Sequence, residues 1–212
     1  MRRQLASILL FIIAAASTDD VCDMDDANLY LSGLGIPSGL PELNLAHVKK
    51  SLPCWRCPCW CPLMIVCSGR YGATTIHGSA SQFSKKKDKF LQSAPTITWD
   101  SDSDKYTLLY LDPDAPDRAG DGSGAGKFGP WLHWLVTDCT KGNVNTGTQA
   151  LDHMGPGPPK GNHRYIFVLF KQTGNPTVGS VARKSWDVTG FLKSNANSLT
   201  PVASNFFYCD KN

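Results

Sequence analysis

The sequence predicts one mainly-β domain, and three observations carry that prediction. Short strand-like runs recur along the chain, Gly and Pro punctuate the gaps between them, and helical periodicity is scarce. In 212 residues, 42% hydrophobic and 18% charged content allows one core of ordinary size and excludes a disordered chain.

The first element is a targeting segment. Arg2 and Arg3 precede an apolar run from Leu5 to Ala16 that ends in Ala14-Ala15-Ala16, so residues 1–16 read as a secretory signal peptide. The run falls short of the roughly 20 apolar residues of a spanning helix. The expected product is secreted, with no transmembrane segment. Losing Arg2 and Arg3 leaves 19 of the 21 basic residues against 18 acidic ones, so the net charge falls from +3 to +1 and no nucleic-acid partner is implied. Residues 17–28 read as an acidic flexible arm, with Asp19, Asp20, Asp23, Asp25 and Asp26. The domain proper spans 29–209, and 210–212 is a tail. Scattered Gly and Pro between Asn28 and Val48 leave room for at most a short helix, around Leu43–Lys49.

All eight cysteines lie beyond the cleavage site: Cys22, Cys54, Cys57, Cys59, Cys61, Cys67, Cys139 and Cys209. Export makes disulfides the expectation for them. Four crowd into a Cys-rich insert at 51–62 (SLPCWRCPCWCP). Neighbours at Cys-x-Cys spacing pair badly with each other, so their partners are expected elsewhere. A poorly ordered insert, a zinc ion shared by Cys-x-x-Cys thiolates, or a faulty gene model are the other readings.

The strand signal resumes at Leu63–Cys67, and Gly69–Gly78 is rich in turn residues. The run Lys85-Lys86-Lys87-Asp88-Lys89 reads as a solvated loop, or as a contact for an anionic surface. Pro95–Trp99 alternates like an edge strand. Tyr106–Leu111 is a buried strand that ends at Asp112, and Ala119–Gly126 is a flexible loop. Trp131–Thr137 and Arg164–Phe170 are two more core strands, Ser185–Ala196 suits a short helix, and Pro201–Cys209 closes the chain as a strand. Trp99, Trp134 and Trp186 read as packing residues. His47, His77 and His153 read as surface residues, with His153 a candidate for a pocket rim. Asp117 and Arg118 read as a structural ion pair or turn rather than ligand contacts. The three core strands carry Asp112 and Asp114, His133 and His163, and several prolines toward one place. A small polar pocket on a rigid β scaffold is built that way.

Asp112–Arg118 (DPDAPDR), the His-Trp of WLHWLVTD, the segment GPGPPKGNHRYIFVLFKQ and the final PVASNFF together resemble the phosphatidylethanolamine-binding protein family, which includes the Raf kinase inhibitor proteins and the plant flowering regulators. The similarity runs from about Ser93 to Tyr208, with a weaker match back to about Leu29. It implies an antiparallel β-sandwich with a few short peripheral helices, and an anion pocket at one end of a sheet. The residues it implies for ligand binding are Asp112, Pro116, Trp131, His133, Gly155, Gly157, Pro158, His163 and Tyr165. Asp114, Arg118, Arg164 and Phe128 are implied as supporting residues. The family also implies cis peptides at Ala115–Pro116 and Gly129–Pro130.

A phosphate ester wants hydrogen-bond donors and positive charge. A histidine raised toward the imidazolium by a carboxylate such as Asp112 supplies both, and Tyr165 is a neutral donor. Set against the family pattern, Leu132 replaces a frequent histidine and Phe128 replaces a frequent tyrosine. A chain ending at Asn212 has no place for the C-terminal lid helix of many animal members, so a more open pocket is expected.

The leading function is a secreted, non-enzymatic binding protein for phospholipid headgroups such as phosphatidylethanolamine, or for other small phosphorylated or anionic ligands. The alternative is a serine-carboxypeptidase-type protease inhibitor or a signalling partner on the same fold. A metal-dependent hydrolase built on Asp112, Asp114, His133 and His163 comes last, because neither H-E-x-x-H nor G-x-S-x-G is present. No cofactor and no resident metal are expected.

Overall fold

The computed structural model describes residues 23–50, 71–76, 82–100, 104–118 and 128–212. The signal peptide, the arm before Asp23, the Cys-rich insert, Leu63–Cys67, His77 and the whole Ala119–Gly126 loop lie outside the described residues. So do Cys22, Cys54, Cys57, Cys59, Cys61 and Cys67.

The described chain is mainly β. A helix α1 (Asp23–Gly33) is followed by strands β1 (Asn44–Lys50), β2 (Tyr71–Ile76), β3 (Gln82–Ser84), β4 (Thr96–Thr98), β5 (Lys105–Asp112), β6 (Trp131–Cys139), β7 (Thr148–Leu151) and β8 (His163–Gln172). Helix α2 (Val188–Ser194) and strand β9 (Leu199–Asp210) complete it. Strands β2-β1-β4 form a three-stranded sheet, and β3-β9-β8-β5-β6-β7 form a six-stranded one. The larger sheet is mixed rather than purely antiparallel, because short β3 runs parallel to β9.

Period-two alternation along β5 and β8 divides the core between the two faces of this sheet. Tyr106, Leu108, Tyr110, Tyr165, Phe167 and Leu169 face one side, where Leu43, Leu91 and Ile97 join them. Leu109, Leu111, Ile166, Val168 and Phe170 face the other, under Ala27 and Leu31 of α1 and Val188 and Phe191 of α2. Central strands covered on both sides read as continuous hydrophobic runs, which is why YTLLYL and RYIFVLF stand out in the sequence.

The structure corrects several expectations. Residues 23–28 of the predicted arm belong to α1, because Ala27 and Leu31, one turn apart, are both buried against the sheet. Leu43–Lys49 is not helical: Asn44–Lys50 pairs with β2 on one side and β4 on the other, and two ladders override a weak local preference. The turn-rich stretch holds strand β2, where Thr74, Thr75 and Ile76 are β-branched. Trp134 and Trp186 are buried packing residues, as expected of them. Cys139 and Cys209 are free thiols, not disulfide partners, and burial pushes each up to about 12. Both peptide bonds Ala115–Pro116 and Gly129–Pro130 are cis.

Candidate functional site

The site forms where β5 ends and where β6 and β8 begin. Antiparallel pairing brings these three strand ends together, with Asp112 opposite Trp131 and Leu111 opposite Ile166. Beyond Asp112 the chain turns back on itself. The Asp114 amide donates to Asp112 Oδ1 at 2.7 Å, an Asx-type turn that fixes the Asp112 carboxylate at the strand end. Asp114 in turn accepts from Arg164: backbone N at 2.8 Å, Nε at 3.0 Å and Nη2 at 2.6 Å. This buried bidentate pair ties the DPDAP turn to β8.

His163 lies behind Asp112. Its Nδ1 is 2.8 Å from Asp112 Oδ2, its Nε2 is 2.9 Å from the Lys160 carbonyl, and its side chain is fully buried. Burial works against a charge here, but the bond to Asp112 and its attraction outweigh it, so the His163 pKa is raised. An imidazole facing acceptors on both nitrogens is satisfied when both carry hydrogen.

His133 is built differently. Along β6 the partner of Tyr110 is Trp134 and the partner of Leu111 is Leu132, so His133 is the extra residue of a β-bulge. The bulge breaks the alternation. His133 faces the Tyr110 and Tyr165 rings, at 5.0 and 5.3 Å between centroids, on the same side as Trp134. Its Nδ1 is 2.8 Å from the Met154 carbonyl, and burial, its strongest influence, pushes its pKa down to about 4. The Met154 bond opposes that shift, while Arg183 and His163 add to it.

A cavity of about 400 Å³ opens over these groups. Of the sequence-predicted ligand residues, Asp112, Pro116, Trp131, His133, Gly155, Gly157 and Tyr165 line it. His163 and Pro158 do not. His163 is screened by Asp112, and Pro158 is turned inward and buried while Pro159 stands in the wall. Among the supporting residues, Phe128 lines the cavity, with Lys184 Nζ 3.8 Å from its ring centre, and Arg164 holds Asp114. Arg118 stands over the Tyr208 ring at 5.7 Å, and Asp117 pairs with Lys160 at 2.7 Å. His153 is half-buried, stacked on Tyr110, and outside the cavity wall.

Sequence reasoning missed Lys85, Gln92, Met154 and Pro156, which also line the cavity. Lys85 opens the lysine run, which is otherwise the exposed turn expected of it. Gln92 Nε2 donates to the Pro156 carbonyl at 2.7 Å. No sequence signal marks Gln92, because its role comes from long-range packing. A side chain at Gly155 would sit 2.6 Å from the Gln92 Cα, so the wall closes only around glycine.

The model of the family "Phosphatidylethanolamine-binding protein" matches residues 73–207, well over half of the chain. The chain belongs to the phosphatidylethanolamine-binding protein family. A relative from Arabidopsis thaliana, Protein TWIN SISTER of FT, is 35% identical over 108 residues, covering 50% of this chain and 58% of its own length. The 26 kDa secreted antigen of Toxocara canis is 32% identical over 124 residues, covering 53% of this chain and 45% of its own length. The chain thus spans about half the length of the curated relatives it matches. Among solved structures, the carboxypeptidase Y inhibitor complexed with its cognate proteinase aligns with a TM-score of 0.56 at 22% identity, over 90% of this chain and 96% of that one. A Plasmodium vivax phosphatidylethanolamine-binding protein aligns with a TM-score of 0.56 at 16% identity, over 89% and 97%. At these identities the likeness is one of fold. Of the four residues named for a hydrolase, Asp114 is bonded to Arg164, and His163 to Asp112 and the Lys160 carbonyl.

Proposed function

We propose that this family member is a secreted, non-enzymatic binding protein for small phosphorylated or anionic ligands, foremost phospholipid headgroups such as phosphatidylethanolamine. One observation carries the reading: a single cavity of about 400 Å³ gathers Asp112, His133 and Tyr165 with the Lys85 ammonium inside an otherwise apolar wall. Pro116, Phe128, Trp131 and Pro159 suit an ethanolamine or glycerol stem, and Lys85 gives an anion its countercharge. Pro116 and its neighbours hold the wall without ordering entropy on binding. The finer architecture in this reading is a sandwich, with Ile97 of the small sheet packed in the same core as β5 and β8.

The test is calorimetric titration of the mature chain with phosphorylethanolamine beside a folded His133→Ala variant. The expected result is saturable 1:1 heat that is lost in the variant. A folded wild-type chain that gives no heat overturns the reading.

A further inference from the structure

Two acceptors stand in the cavity wall, Asp112 and His133. Asp112 accepts from the Asp114 amide and from His163, and as a carboxylate it offers the cavity only lone pairs. His133 Nδ1 faces the Met154 carbonyl, which can only accept, so the neutral ring carries its hydrogen on that nitrogen. Its Nε2 then presents a lone pair, and His133 lines the cavity. Gly157 N–H donates to Tyr165 Oη at 3.2 Å, and Gln92 Nε2 is engaged by the Pro156 carbonyl. Hydrogens for a ligand's charged oxygens come from the Tyr165 hydroxyl, from Lys85, whose Nζ stands against Gly157, and from two further wall residues, the Trp131 indole N–H and the second amide hydrogen of Gln92.

The surroundings hold His133 in that state. Arg183 Nη1 donates to the His133 carbonyl at 3.1 Å and to the Leu132 carbonyl at 3.3 Å, placing a cation behind the ring's own backbone. From β8, His163 and the Tyr165 ring face it. From β5 come Tyr110 and Asp112, and from the opposite wall Lys85. Arg183 and His163 both oppose a proton on His133, in keeping with its lowered pKa.

The geometry points to a pocket that takes ligands bringing a hydrogen of their own to Asp112 and His133 Nε2, and that rejects an oxyanion without one. The inference rests on the anion-binding reading above and narrows its ligand class. A fully ionised tetrahedral oxyanion sets its lone pairs against two acceptors. A hydrogen phosphate of the same size turns P–OH toward them and its charged oxygens toward Lys85 and Tyr165. Sites built to bond a ligand hydrogen discriminate strongly against the isostere that lacks it, because buried acceptors are left unmatched. The hydrogen has two sources in phosphorylated ligands: P–OH of free phosphate or a phosphomonoester, and the ammonium of an ethanolamine headgroup.

The decisive experiment titrates the mature chain at pH 7 and constant ionic strength with phosphate and with sulfate. Sulfate binding at least about a hundredfold weaker than phosphate is expected. Equal affinities overturn the inference and leave the anion site standing. Binding of neither anion, nor of phosphorylethanolamine, overturns the anion-binding reading itself. The O-methyl phosphodiesters of ethanolamine and of choline, which carry no hydroxyl, separate the sources. Both are diesters without P–OH, and only the first has N–H. Binding of the ethanolamine diester alone assigns the ammonium as the hydrogen source in an intact headgroup. Binding of neither diester assigns P–OH. Equal binding of both counts against the inference. In Asp112→Asn, which adds a donor and removes a charge, the preference for phosphate over sulfate is expected to shrink about tenfold or more. An unchanged preference in the folded variant removes Asp112 from the argument, and should the variant not fold, the wild-type anion pair still decides.

Discussion

Two histidines enter the same end of one sheet and end up with opposite chemistry. His163 sits in register on β8 and meets an acceptor at each nitrogen, so its pKa is raised. His133 sits out of register on a β6 bulge, meets a carbonyl at Nδ1 and lines the cavity, and its pKa falls to about 4. Both are buried. Burial works against a proton on both and prevails at His133, whereas at His163 the Asp112 carboxylate within hydrogen-bond reach outweighs it. The histidine with the raised pKa holds Asp112, and the one with the lowered pKa lines the cavity.

The harshest way to break this comparison is to remove the support of the charged side. Asp114→Ala takes a bidentate carboxylate from the buried Arg164 and cuts the tie between the DPDAP turn and β8, while the backbone amide that holds Asp112 remains. A loss of about 3–5 kcal/mol is expected in urea unfolding, the usual cost of splitting a buried pair. A loss below 1 kcal/mol would detach the DPDAP turn from the fold's stability.

Next comes pH, where the two rings act in opposite directions. The folded-state pKa of His133 lies below its ordinary value of 6.5. Its contribution is thus present above that pH and is lost as pH falls toward 4, by up to about 3 kcal/mol at roughly 1.4 kcal/mol per unit. The folded-state pKa of His163 is raised, so its contribution is complete below pH 6.5 and is lost as pH rises through the folded value. Urea midpoints between pH 4 and 9 are expected to show a flatter acid limb in His133→Gln and a flatter alkaline limb in His163→Gln. An unchanged acid limb in the first variant contradicts the neutral-ring assignment.

The mildest change touches neither histidine. Gly155→Ala drives a methyl against Gln92 and its backbone, and a stability loss of about 1–3 kcal/mol is expected from overpacking, with weaker headgroup binding read by calorimetry. A neutral result means the Gln92 wall yields without consequence.

The large sheet was legible in the sequence because its central strands are covered on both faces, which leaves long apolar runs that no helix period explains. Asp112 and His133 were legible because strand ends and proline turns mark where such runs stop, and Trp131 and Tyr165 were legible only through the resemblance to the family. The rest was written at longer range. Helix α1 and strand β1 have weak local signals and exist through what they pack or pair against. The parallel partner of β9 is three residues long. His163 looked like a pocket residue because a one-dimensional pattern does not reveal that Asp112 stands in front of it. His133 was found for the right residue type, but alternation does not foresee that Trp134 shares its side, since a bulge has no reliable signature in one sequence.

The short strand β3 also sets an order of events. The segment bearing Lys85 and Gln92 is anchored on β9: Phe83 lies opposite Cys209, and the Lys85 amide donates to the Asp210 carbonyl at 2.9 Å. One wall of the pocket therefore hangs on the last strand of the sheet, through contacts of very long sequence separation, the kind that close late in folding. A chain emerging from the ribosome can assemble β5, β6 and β8 with their histidines well before that wall exists. Ligand competence arrives with the final strand, so an unfinished chain carries the chemistry of the site without its shape.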